Sequence, residues 1–193
     1  MKKSMDLQPC GWAKGDLYLA YHQDEWGIAC RDDKKLFEKL CLEGQQAGLS
    51  WITVLKKRAH YRQRFHRFNP TKVAAMSDAE LEDCLLDAGL IRNRLKIYAI
   101  RSNAQAYLAM KKSGVRFADF VWSFVGNQVV VNHFSELSQL PAATEQSLAM
   151  SRGLKKLGFK FIGPTICYAF MQSMGLVNDH LVNCPQHPRN INV

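Results

Sequence analysis

Two pairs of side chains able to bind a metal stand near opposite ends of this 193-residue chain, Cys10 with His22 and His180 with Cys184. A thiolate and an imidazole from each pair would complete a tetrahedral Cys2His2 set, the donor chemistry of a closed zinc site. The residues alone leave an alternative, a buried cysteine and a core histidine, because the spacing matches no zinc finger. Glu43 falls near the end of an apolar helical pattern. The helix dipole disfavours a carboxylate there, so it either points into water or has a purpose that outweighs a few tenths of a kcal/mol. Gly158 and Gly163 bracket a short turn. Glycines supply backbone conformations that a β-carbon opposes, and amides exposed just before a helix N-terminus can hold a phosphate oxygen.

The elements that must position these groups read as helices. Asp32 and Asp33 precede a face of Leu36, Phe37, Leu40 and Cys41, and Gly48 closes that segment. Ser50 is placed to cap the next helix, with Trp51, Val54 and Leu55 inward and Lys56, Lys57 and Arg58 on a solvated side. Asn69-Pro70 starts a helix, and Ser77 with Glu80 forms a capping box ahead of Leu81, Leu85 and Leu86. From Arg92 a long pattern carries Leu95, Ala99, Asn103, Ala106, Tyr107 and Met110 along one side, and Phe117, Phe120, Val121 and Phe124 suggest a shorter helix. Residues 126–140 read as loop: Val129 to Val131 could form a brief strand, but no alternating partner is evident. Thr144 caps a helix through Leu154 and Leu157, and Arg152, Lys155, Lys156 and Lys160 lead into the turn at about 158–164. Ile166, Ala169, Phe170 and Met174 then predict one buried face ending near Gly175. The expectation is an all-α protein of about seven to nine helices, a single two-lobed unit over residues 1–193.

Composition narrows the partners. With 47% hydrophobic and 22% charged residues, disorder is excluded as a reading. The net charge of +9 favours a polyanion or an anionic membrane. There is no run of about 18 apolar residues to cross a bilayer, and the opening residues lack the apolar centre of a secretory signal, so the expected location is cytoplasmic. The six cysteines are then thiols or metal ligands rather than disulfides.

Several runs together resemble the 3-methyladenine DNA glycosylase I family: Cys10-Gly-Trp12, Tyr18-Leu-Ala-Tyr21-His22, Asp24-Glu-Trp26-Gly27, Leu42 through Trp51, Gly158-Phe-Lys-Phe161 and Val177-Asn-Asp-His180. The resemblance covers about Cys10 to Cys184. It implies the helix-hairpin-helix glycosylase fold, with a structural zinc on Cys10, His22, His180 and Cys184 joining the N- and C-terminal segments. It further implies an aromatic pocket for an extruded base, formed by Trp12, Tyr18, Tyr21 and Trp51 with the carboxylate of Glu43. Alkylation at N3 makes adenine cationic while it is joined to the sugar, so aromatic faces and a carboxylate suit it, and the charged base leaves readily.

Gln45, Gln46 and Leu49 would lie where a side chain fills the gap in the duplex. Gly158, Lys160, Gly163 and Thr165 would meet the DNA backbone. Asp179 lies near the position of a catalytic aspartate in the wider superfamily and is a secondary candidate beside Glu43. The implied activity is monofunctional excision of 3-methyladenine from alkylated double-stranded DNA by a monomer, releasing the free base. A non-catalytic, zinc-stabilised DNA-binding protein with the same fold is the alternative. Pro164, not lysine, precedes Thr165, which removes the amine that lyase members use to form a Schiff base.

Overall fold

The computed structural model describes residues 7–191; residues 1–6 and 192–193, which enter the expected unit and the N-terminal reading, lie outside the described residues. Nine α-helices occur among the described residues: α1 (Asp16–Asp24), α2 (Asp33–Gln46), α3 (Trp51–Arg64), α4 (Pro70–Ala74), α5 (Asp78–Leu86), α6 (Arg94–Lys112), α7 (Phe117–Ser123), α8 (Glu145–Lys156) and α9 (Pro164–Ser173). None is long and apolar enough to cross a membrane.

Their starts follow local chemistry. Asp32, Asn69, Ser77, Asn93 and Thr144 each accept a first-turn amide with the side chain, and Ser77 with Glu80 closes the expected box. Each such cap contributes about 1 kcal/mol. Ser50 precedes α3 without a side-chain cap bond to the helix. The hydroxyl of Tyr18 accepts from the Ile52 amide at 3.0 Å and serves that end instead.

Helix α2 is central, packing against α3, α6, α7 and α9. Leu36, Phe37 and Leu40 are fully buried in that packing. Truncating Phe37 to alanine would remove about 3–5 kcal/mol of stability. Helices α8 and α9 lie against each other across the turn 157–163.

Several expectations need correction. Leu86 and Leu95 continue the apolar spacing of α5 and α6 but are 81% and 72% exposed, because each falls at a helix end beyond the neighbour that covers the rest of the face. On α9 the buried residues are Cys167, Tyr168, Phe170, Met171 and Ser173, while Ile166 and Ala169 are half-buried. Arg58 is not simply solvated, since it forms a two-pronged pair with Glu25 at 2.5 and 2.7 Å. The segment 126–140 is not all loop. Strand β1 (Val130–Val131) pairs in parallel with β2 (Val177–Asn178), a partner too distant in sequence for a hairpin pattern to reveal.

Candidate functional site

Two polar clusters meet inside this helical frame, and α1 contributes to both. On one side, Cys10, His22, His180 and Cys184 are all buried, with one donor atom from each within 4.8 Å of the others. His22 Nε2 lies 3.2 Å from His180 Nδ1, and Cys184 Sγ lies 3.4 and 3.5 Å from those two nitrogens. Cys10 Sγ is 3.8 Å from His180 Nδ1. His180 Nε2 is 3.1 Å from the Trp26 carbonyl, so it carries the ring proton and leaves Nδ1 to face the cluster. Gly27 makes room for that ring: at φ +81° a β-carbon there would stand 2.7 Å from His180 Nε2. The neighbouring Cys184, with burial, raises the Cys10 thiol well above its ordinary range, and Cys10 with His180 and His22 lowers that of Cys184. Four such donors around one point could hold a metal ion.

On the other side stand the aromatic residues. Trp12 packs edge-on to Tyr18 at 5.3 Å between centroids and tilts against Tyr21 at 6.4 Å. It also touches His22 at 5.3 Å and Trp26 at 5.1 Å, so one indole forms the wall between the clusters. Tyr21 and Trp51 are tilted against each other at 5.6 Å, and the buried Trp51 Nε1 has no hydrogen-bond partner. Glu43 is buried, with Lys39 Nζ 3.9 Å from its Oε1. Burial raises the pKa of Glu43 and lowers that of Lys39, each shift opposed by the partner's charge. Lys39 Nζ also donates to the Tyr21 hydroxyl at 2.6 Å and lies over the Tyr21 and Trp51 rings at 4.4 and 4.1 Å. Glu43 therefore has a buried partner that its place near a helix end did not announce. The signal available in the sequence was a lysine four residues before the glutamate, a spacing that puts both on one face of a helix.

The loop after Glu43 divides. Gln45 does not offer a free side chain: it is 1% exposed, its amide donates to the Lys96 carbonyl and its side-chain oxygen accepts from the Tyr61 hydroxyl. Lys96 Nζ in turn donates to the carbonyls of Gln45 and Ala47, satisfying the end of α2. Gln46 is half-buried and Leu49 is exposed.

In the hairpin, Gly158 takes φ +91°, but Gly163 sits at φ −61°, an ordinary angle, and the left-handed residue is Phe161 at +53°. Asn103 of α6 holds the turn from below, its side chain accepting from the Lys160 amide at 2.7 Å and donating to the Lys160 carbonyl at 3.2 Å. Lys155, Lys156, Lys160 and Thr165 are exposed beside it. Phe161 presses on α2, where a β-carbon on Gly44 would lie 3.1 Å from the Phe161 carbonyl oxygen.

Asp179 is 1% exposed and engaged by its own fold. It accepts from Asn132 at 2.7 Å, from Tyr168 at 2.5 Å and from Gln172 at 2.8 Å, which ties the segment after β1 to α9.

Comparison with known proteins gives these clusters a context. The family model for methyladenine glycosylase matches residues 12–187. A DNA-3-methyladenine glycosylase 1 of Escherichia coli (strain K12) is 58% identical over 185 residues, which cover 95% of this chain and 99% of that protein. A crystal structure of a 3-methyladenine DNA glycosylase I superposes with a TM-score of 0.93 at 55% identity, covering 94% of this chain and 100% of the other. A structure that addresses 3-methyladenine recognition by the Staphylococcus aureus glycosylase I has a TM-score of 0.90 at 35% identity, over 95% of this chain and 98% of its own. The match runs through both clusters and the turn between α8 and α9, and the chain belongs to the methyladenine glycosylase family.

Proposed function

We propose that this protein hydrolyses the N-glycosidic bond of 3-methyladenine in alkylated double-stranded DNA, releasing the free base and leaving an abasic site. The observation that carries the reading is the aromatic cluster around a buried carboxylate in a chain that matches the family over residues 12–187. Once extruded from the stack, the cationic base places its ring against Tyr21 and Trp51, with Trp12 and Tyr18 closing the wall. Glu43 accepts a hydrogen bond from the exocyclic amine. The positive charge already makes the base a good leaving group, so the pocket selects more than it forces.

The backbone of the damaged strand meets the turn at Gly158, Lys160, Gly163 and Thr165, with Lys155 and Lys156 on its flank. Gln46 and Leu49, at the lip of α2, are the candidates to fill the vacated gap. Gln45 is too committed internally to do so, and Asp179 is better read as a structural carboxylate. No lysine amine precedes Thr165, so water captures the sugar cation and the strand stays intact.

The Cys2His2 cluster is read as a structural zinc site. For Zn–N near 2.0 Å and Zn–S near 2.3 Å, tetrahedral edges of about 3.3 Å between nitrogens and about 3.5 Å between nitrogen and sulfur follow. The observed 3.2, 3.4, 3.5 and 3.8 Å match that geometry. Four protein donors leave no open position, so zinc would join the two ends of a single 1–193 unit without entering the chemistry. We further read the protein as a cytoplasmic monomer. The deciding experiment incubates zinc-loaded protein with methylated duplex and then adds borohydride. Free 3-methyladenine, uncut strands and no trapped adduct are expected; no base release would overturn the reading, and a covalent adduct lost in Lys160→Ala would overturn its monofunctional part.

A further inference from the structure

The base-excision reading leaves Lys39 without a task. Its Nζ lies over Tyr21 and Trp51, donates to the Tyr21 hydroxyl and faces Glu43 at 3.9 Å. Those are the two aromatic faces and the carboxylate that a positively charged base needs. An ammonium withdrawn from water at this point is a resident cation in a cage suited to a visiting one. We propose that Lys39 destabilises the bound ground state in the base pocket: it opposes the alkylated base while that base is positively charged and ceases to oppose it once cleavage has made the base neutral. The inference rests on the base-excision reading above.

The charge bookkeeping of the reaction supplies the reason. When the N-glycosidic bond breaks heterolytically, both bonding electrons stay with the base and neutralise it, and the positive charge passes to C1′ of the sugar. Water then gives an electron pair to C1′ and releases a proton to solvent. A fixed cation beside the base raises the energy of the bound substrate more than that of a transition state in which the charge is already leaving. Lys39 thereby weakens binding and speeds cleavage together. Hydrogen-bond polarity adds a second effect. An ammonium only donates, so the Tyr21 oxygen accepts from Lys39 and its own proton is left for another acceptor.

The charged and titratable groups around Lys39 are Tyr21 from α1, Glu25 beyond its end, Lys35, Glu38 and Glu43 on its own helix, and Arg58 and Arg62 from α3, with Asp24, Arg31 and Asp32 along the same cavity. Burial lowers the lysine's pKa, with Glu43 opposing, so its ammonium is lost at lower pH than that of an ordinary lysine.

The test is steady-state excision from a methylated duplex by the zinc-loaded full chain, comparing wild type with Lys39→Met, a straight apolar side chain of similar length. We expect KM and kcat both to fall roughly tenfold, the size of effect that displacement of one desolvated cation–π contact allows. In the wild type, raising the pH should lower KM and kcat in the same sense as Lys39 loses its proton, and K39M should lack that alkaline change. An unchanged or higher KM in K39M, or an alkaline change that persists in it, overturns the proposal. Should K39M fail to fold, the wild-type profile decides alone, and a KM that stays flat or rises overturns it. Normal wild-type excision with unaltered K39M kinetics sinks this inference only, whereas no wild-type excision sinks the base-excision reading with it.

Discussion

The two clusters on either side of Trp12 are neighbours made of similar material and handled in opposite ways. At the Cys10, His22, His180, Cys184 cluster, the donors converge on one point and His180 is oriented from behind by the Trp26 carbonyl. A single ion would engage all four donor atoms, with His22 Nδ1 buried behind them. At the aromatic cluster, a lysine and a glutamate are both stripped of water, each has its pKa moved toward neutrality by burial, and the Trp51 indole N–H has no partner. Donors that converge on one point stabilise a fold, while ionisable groups stripped of water against aromatic faces mark the place where something else is received.

The largest effect should come from breaking the closed side. Cys184→Ser should abolish stoichiometric metal and cost on the order of 5 kcal/mol, a large share of a domain's usual margin. Elemental analysis with thermal unfolding checks it; unchanged metal content and melting would erase the distinction between the clusters.

On the open side, Glu43→Gln should reduce excision about 100-fold while changing stability by only about 1–2 kcal/mol, since Lys39 can shed its proton when its partner goes. Combining it with Lys39→Met should restore stability without restoring excision. Wild-type excision by Glu43→Gln would remove the carboxylate from recognition.

The smallest disturbance to either cluster is expected from Lys156→Glu with Lys160→Glu. Metal content and affinity for free 3-methyladenine should hold, while duplex affinity falls and the salt slope drops by about 2. An untouched salt slope would put the DNA backbone on another surface.

What the sequence disclosed depended on how far the cause lay from the effect. Helix starts at Asn69, Ser77 and Thr144 were readable because the cap and the amides it serves lie within three residues. The metal cluster was only half readable: the residue types suggested it, but its halves stand 162 residues apart at His22 and Cys184, and the resemblance was needed to join them. The pairing of Val130 with Val177 escaped for the same reason. Burial of Gln45 was not readable because it shares a short segment with exposed Leu49, and only the three-dimensional approach of Tyr61 and Lys96 turns it inward. Lys39 gave no hint of burial, since a lysine amid charged residues reads as solvated until Tyr21 and Trp51 are seen to close over it.

The contact between Gly44 and Phe161 has a consequence for how damage is measured. With a missing side chain as the only spacer, the hairpin rests directly on the helix turn that carries Glu43. On the proposed function, the grip on the strand and the carboxylate are thereby held at a fixed separation, like the two jaws of a caliper. Any side chain larger than hydrogen at position 44 would spread the jaws, leaving both clusters intact and the gauge wrong.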